Sequence, residues 1–349
     1  MGCMSCLRSE HHVADVLGVD RESLTGHWDI GHKLQLVYGD VLPKNKQFAA
    51  DEKFVFDTMS EVKKYEDGMR FQELAEELLH PILTPQGRRQ NTRWVRSVLR
   101  CFEVFLRDLP TIYNKLGKDE LKAAQDRRLA DQKIIIRKKE KLSDGNFIAR
   151  VIGYCQIFNS YAEASMASQH VKNFPTTVLE SVEKLGDVLQ KQSQHFEFEQ
   201  DDLFFAGIGN PSKLIENVGS GTFQPHVTEK AKQRRASRLN MERQHRREVV
   251  INISDNSELS ELYDVIHWKH CSQYREVEAD DIVVGEVSIE EFTDQDQTDV
   301  KEFLGNIYVQ LKDNLDECLR ASELIKVARN VLAGSYDWFE LNLRLWESK

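Results

Sequence analysis

Thr92-Arg93-Trp94-Val95-Arg96-Ser97-Val98-Leu99-Arg100-Cys101-Phe102-Glu103-Val104-Phe105-Leu106-Arg107-Asp108-Leu109-Pro110 is the stretch that decides the fold class. Its apolar residues Val95, Val98, Leu99, Phe102, Phe105, Leu106 and Leu109 return every three or four positions, the period of one helix face. Thr92 offers an N-cap hydroxyl, and Pro110, which has no N–H to give, marks the expected end. Arg93, Arg96, Arg100 and Arg107 are expected along another side, giving a helix packed on a core with a basic outer stripe suited to phosphate oxygens. The plainer alternative for that stripe is a solvated face paired with acids.

The same period recurs outward from this helix. Phe147, Ile148, Val151, Ile152, Cys155, Phe158 and Ala162 repeat it, as do Val178, Leu179, Val182, Leu185 and Leu189. Phe303, Leu304, Ile307, Leu311, Leu315 and Leu319 repeat it again, with Leu324, Val327, Ala328 and Val331 following a break. A further helix is expected from Asp51 to Leu79, and Leu34, Val37, Tyr38 and Val41 make an apolar face after His32. Strand signals are few: the β-branched runs 249–253 and 282–289, and 80–85, whose prolines allow only an edge strand. The stretch 207–224, with glycines at 207, 209, 219 and 221 and Pro211, reads as a loop; the basic block after it reads as a helix or a disordered arm. The expected class is mainly α with a small β component.

With 349 residues, 40% hydrophobic and 30% charged, the chain can bury a core and is neither collagen-like, nor a disulfide miniprotein, nor wholly disordered. No run approaches the length of a membrane-spanning helix. The net charge of −10 argues at first against a nucleic-acid partner, but it is local. Glu276–Asp299 holds ten acids and no base, so the rest of the chain sums to zero. Arg88–Arg107 has six arginines against Glu103, and Thr228–Arg247 has eight bases against Glu229 and Glu242. Lys230, Lys232, Arg234, Arg235 and Arg238 resemble a nuclear-localisation patch, or else a soluble linker, and nuclear placement is the expectation.

The six cysteines are scattered without a secretory signal, which points to reduced, mostly buried thiols. Met1-Gly2-Cys3-Met4-Ser5-Cys6 matches an N-myristoylation motif only in part, so a lipid anchor is not expected. Cys3 and Cys6 lie too close to His11 and His12 for a usual zinc finger, and His267, His270 and Cys271 read as a surface or packed cluster. There is no P-loop, GxSxG elbow, HExxH helix or paired CxxC set.

Asp29-Ile30-Gly31-His32-Lys33-Leu34-Gln35-Leu36 and, about 60 residues on, Thr92-Arg93-Trp94-Val95 resemble two motifs of the hAT-superfamily transposases: C/D-x-x-H followed by a basic residue and Leu-x-Leu, then Thr-Arg-Trp opening a helix. Between them, Phe71–Leu78 followed by Ile82-Leu83-Thr84-Pro85 is similar to the family's helix and short β segment; Phe303-Leu304-Gly305-Asn306-Ile307 is similar to a later helix of its all-α insertion. The resemblance covers roughly residues 20–190 and 300–320.

It implies a remnant of an RNase H-like α/β core interrupted by an all-helical insertion. In the family, an Asp, Asp, Glu set holds two divalent metals that drive attack on DNA phosphate. The resemblance gives Asp29 and His32 a place near that centre without making them ligands, and gives Arg93 and Trp94 a place at DNA, where Trp94 would stack on a base.

This chain departs from the pattern. Only 28 residues precede Asp29, where the family has its first two acids, and Asp20 is the one candidate. No late acid is identifiable. The expectation is therefore a truncated chain without catalytic residues, its Mg²⁺ or Mn²⁺ site lost and no cofactor. The expected organisation is an N-terminal segment (1–26), poorly ordered; an RNase H-like remnant (27–110); a helical insertion (111–206); a loop, basic block and acidic segment (207–299); and C-terminal helices (300–349). DNA is the expected partner, through Arg93, Trp94, Arg96, Arg100, Lys230, Lys232, Arg234, Arg235 and Arg238, with protein partners beside it. The alternative is a helical scaffold or adaptor that docks through the acidic segment and has no DNA role.

Overall fold

The helix that opens at Trp94 does not stop at Pro110 but runs to Gln125. Pro110 forfeits one backbone bond, while the apolar stripe continues beyond it through buried Ile112 and Leu116, so burial outweighs the break. The boundary drawn at residue 110 thus falls inside a helix. The structure, a computed structural model, describes residues 30–63, 74–75, 94–169, 175–200, 208–254 and 276–320.

In chain order the elements are α1 (Ile30–Val41), α2 (Lys46–Lys63), α3 (Trp94–Gln125), α4 (Leu129–Ser143), α5 (Gly145–Gln169), α6 (Pro175–Gln194), α7 (Pro211–Gly219), β1 (Thr222–Phe223), α8 (Glu229–Ser254), a 3-10 turn (Ala279–Asp281), β2 (Val287–Ser288) and α9 (Asp294–Arg320). The described chain is mainly helical, and its sheet is one antiparallel pair that sets Thr222 against Ser288 and Phe223 against Val287.

Several sequence expectations are corrected. The run 249–253 belongs to the end of α8: a helix started at Thr228 extends through β-branched residues at small cost, whereas a strand needs a partner edge. Of 282–289, only Val287 and Ser288 pair as strand. The glycine-bearing stretch 207–224 contains α7, because Asn210 caps it and Pro211 occupies its first turn. The Asn210 side chain accepts from Ser212 N at 3.0 Å and Lys213 N at 3.4 Å, and Leu214, Ile215 and Val218 are buried. The helix expected from Asp51 starts earlier, at Lys46. The expected elements at 80–85 and 324–331, the segment 1–26 with its cysteine–histidine and lipidation motifs, and the 267–271 cluster lie outside the described residues.

The chain divides into two units. One comprises α1, the part of α5 from Ser160, α6 and the part of α9 from Gly305. Leu34, Val37, Tyr38 and Val41 are buried there, as the spacing predicts, with Tyr38 edge-on to Tyr161 at 5.9 Å. Val182, Leu185 and Leu189 of α6 and Ile307, Tyr308, Leu311 and Leu315 of α9 are also buried, and the Phe196 and Tyr308 rings lie 5.6 Å apart.

The other unit holds α2, α3, α4, α5 to Asn159, and 197–304. Its core is aromatic: Phe48 lies 4.9 Å from Tyr154 and 6.0 Å from Phe158, and Phe102 lies 5.6 Å from Phe158. Gly153 lets Leu304 approach so closely that an added Cβ would stand 2.2 Å from its Cδ1. Cys101 and Cys155 are buried thiols, neither of them in a disulfide.

α3 and α4 form a helical hairpin. Arg128 N donates to Ala123 O at 2.8 Å and Arg127 N to Ala124 O at 3.1 Å, the paired bonds of a Schellman turn. Arg127 sits at the position where glycine is usual, with φ of 55°.

Candidate nucleic-acid interface

α8 displays the basic block. Thr228 starts it, with Ala231 N 3.3 Å from its Oγ1, and Lys230, Arg234 and Arg238 follow at intervals of four, all exposed on one stripe. Lys232 is half-buried and pairs with Glu229 at 2.9 Å. Arg235 departs from the expectation: at 8% exposed it lies on the inner side of the helix, among groups near Asp108, and cannot share the outer stripe.

The opposite side of α8 is held by the acidic segment. Ala236 and Leu239 cluster with Val277 and Ile282. Asn240 grips the backbone of Val277 from both sides, its Nδ2 donating to the carbonyl and its Oδ1 accepting from the amide, each at 2.9 Å.

The stretch 276–293, which leads into α9, is therefore a built-in strap rather than a loose run of charge. Val287, Ile289 and Phe292 are buried, while Glu276, Glu278, Glu286, Glu290, Glu291 and Asp294 face outward. The end of the strap caps α9: Thr293 and Asp296 exchange side-chain-to-backbone bonds, Thr293 N to Asp296 Oδ2 at 2.8 Å and Asp296 N to Thr293 Oγ1 at 3.2 Å. Thr293 and Asn146, donating to its carboxylate, hold Asp296 down at about 2.

On α3, Arg96 is exposed, whereas Arg100 is half-buried with its Nε buried, so of the two only Arg96 stands fully on an outer stripe. Arg107, expected beside them, is instead buried, at 5%. Its Nε lies 2.9 Å from Asp108 Oδ1 and its Nη2 3.2 Å from Oδ2, while Nη1 finds no partner among the described residues.

Glu103, the acid within the arginine run, is buried too. Burial pushes its carboxyl up to about 7 against the pull of Arg100, Arg107 and Arg96. Burial also pushes Asp108 up to about 6 against Arg107 and Arg235. The spacing already held a signal: Glu103 stands four after Leu99 and three before Leu106, on the apolar side. Burial raises the Cys155 thiol well above its ordinary range, with Glu103 and Cys101 adding to it, so this cysteine is a packed side chain and not a nucleophile.

A second buried ionic centre was not foreseen. Asp51 of α2, fully buried, accepts from Arg150 Nε and Lys141 Nζ at 2.8 Å each and from Gln47 Nε2 at 3.0 Å, with Tyr154 Oη 3.4 Å away. Burial raises the Tyr154 hydroxyl, reinforced by the Asp51 charge, so it stays protonated. Burial works against the Arg150 charge, but the Asp51 carboxylate more than restores it.

Neither centre suits a divalent metal. The carboxylates of Asp51 and Asp108 are filled by arginine and lysine donors, and no three His, Cys, Asp or Glu gather around a metal-sized site among the described residues. Asp20, Asp29, Thr92 and Arg93 lie outside the described residues; His32 and Trp94 are placed within α1 and α3 by their backbones alone. Among the described residues no helix is long and apolar enough to cross a membrane. Comparison with models of protein families, with curated proteins and with solved structures gives no match.

Proposed function

We propose that the chain descends from hAT-type transposases and keeps a remnant of their RNase H-like core. On this reading it no longer cuts DNA and retains the capacity to contact nucleic-acid phosphates. The observation that carries the binding part is the exposed stripe Lys230–Arg234–Arg238 on α8, which repeats a cation about every 6 Å along one face. A duplex meets such a stripe with phosphates, and the gain comes from counterion release. Arg96 on α3 is a second exposed cation of the same kind. The chemistry that the family's metals supply, activation of water or a 3′-hydroxyl, is assigned to no residue here. The same basic block would direct the chain to the nucleus, which microscopy of a fluorescent fusion with and without Lys230, Arg234 and Arg238 would decide.

The binding test is an anisotropy titration of a labelled duplex at about 50 and 200 mM salt. Affinity should fall steeply between the two, and replacing Lys230, Arg234 and Arg238 by glutamine should flatten the slope by roughly two to three ions. No binding at the lower salt would sink the DNA reading. A Mg²⁺ or Mn²⁺ cleavage assay with Asp20→Asn as control tests the loss of catalysis; metal-dependent cutting that Asp20→Asn removes would overturn it.

A further inference from the structure

The far end of the α3–α4 hairpin carries a face that phosphate binding leaves unused. On α4, Leu129, Ala130, Lys133, Ile134 and Arg137 share one side by their spacing, and all are exposed. Leu129 is 67% exposed and Ile134 54%, with Leu121 near the end of α3 at 66%.

The cations of α4 are used unequally. Lys138, Lys139 and Lys141 reach Glu61 at 2.7 Å, Glu120 at 2.7 Å and Asp51 at 2.8 Å. Lys133 and Arg137, like Lys122 and Arg127 at the turn, make no ion pair among the described residues. Arg127 keeps its cation at the tip in a left-handed conformation that glycine would occupy without strain. Arg128, at the N-cap of α4, gives no side-chain cap and is turned instead to Asp126 at 3.0 Å and Asp131 at 3.3 Å.

We infer that this face docks an acidic amphipathic helix of a partner protein. Aliphatic residues of that helix meet Leu129 and Ile134, and its carboxylates meet Lys133, Arg137 and Arg127. Charge complementarity selects the occupant. A duplex would satisfy the cations but leave the exposed leucine and isoleucine facing phosphate and sugar. An anionic bilayer fits less well, because the face has no aromatic residue to seat in the headgroups. A helix places aliphatic and acidic side chains residue by residue at the same period, and so matches both halves of the surface.

The test is an anisotropy titration of the full chain into a labelled synthetic helix of leucine and glutamate set at helical spacing, with a scrambled peptide of equal composition. The helix should bind about tenfold more tightly than the scramble. Leu129→Ser with Ile134→Ser should weaken it about tenfold, and Lys133→Glu with Arg137→Glu by at least as much. Circular dichroism checks that the fold survives; should a double variant unfold, Ile134→Ser and Arg137→Gln singly serve instead. Equal binding of the two peptides, or an aliphatic variant that binds as the parent does, reduces the face to general attraction of polyanions and overturns the proposal. Binding of phosphatidylserine vesicles or of duplex through these same residues, with the helix unbound, overturns it as well.

Discussion

At Asp51 a fully buried carboxylate accepts from Arg150, Lys141 and Gln47, and Lys141 lies 4.5 Å over the Phe147 ring. At Asp108, buried to 2%, the donor is the neighbouring Arg107, whose own Nη1 is left without a partner among the described residues, and Glu103 lies buried close by. Both centres belong to the same unit and set an arginine against a buried aspartate. They differ in how many donors converge on each acid. Three side chains from three helices donate to Asp51, whereas Glu103 and Asp108 are pushed toward the neutral form by burial that their arginines only partly offset. Burying charge is tolerated where the fold delivers enough partners. Where it delivers too few, the site stores a pH dependence.

The largest expected effect comes from removing the acid that three donors share. Asp51→Ala strands Arg150 and Lys141 and should cost roughly 3–5 kcal/mol in urea unfolding. A loss under about 1 kcal/mol would mean that water replaces the carboxylate and that the two centres do not differ.

Next in size is the pH dependence of the other centre. Glu103 binds a proton up to about 7 when folded but only to its ordinary value of 4.5 when unfolded, so between these values the folded state holds more protons. Stability should therefore fall as pH rises through that window, with Asp108 adding a fall between 3.8 and about 6. Glu103→Gln should remove the upper part of this slope and raise stability at pH 8 by about 1–3 kcal/mol. Unfolding curves from pH 4 to 8 measure it, and a parent protein with a flat profile would count against the depleted-donor account.

Asn240→Ala, which releases the strap from α8, should cost about 1–2 kcal/mol and speed amide exchange at Val277. Because Arg235 is carried on the same helix, loosening it should also move the acid limb due to Asp108 to higher pH. The smallest effect is expected for Lys141→Met, about 0.5–1 kcal/mol: the lysine is 29% exposed and Arg150 remains on Asp51. A loss as large as that for Asp51→Ala would show that the donors act as a unit rather than in parallel.

The helices were legible because each buries a stripe at constant spacing: Val95 to Leu109 in α3, Phe147 to Ala162 in α5 and Leu304 to Leu315 in α9 are buried where their periods put them. Punctuation was less reliable. Pro110 and the residues around Pro211 carry breaker signals, and both lie in helices, since a cap such as Asn210 or a buried stripe on each side outweighs one missing bond. Of the expected binding residues, Arg96, Lys230, Arg234 and Arg238 are exposed, whereas Arg235 is turned inward. Its place between Arg234 and Ala236 gave no warning, because adjacent helical residues face different sides.

By itself the sequence determined what repeats locally: the helical class, the apolar faces, and the separation of charge into two basic blocks and one acidic segment. Tertiary structure alone decided which charges meet. Asp51 finds Lys141 and Arg150 across 90 and 99 residues, and Asn240 finds Val277 across 37. No periodicity records such pairs, because they depend on how helices pack and not on how each is wound. Burial then sets the strength of every charge that remains.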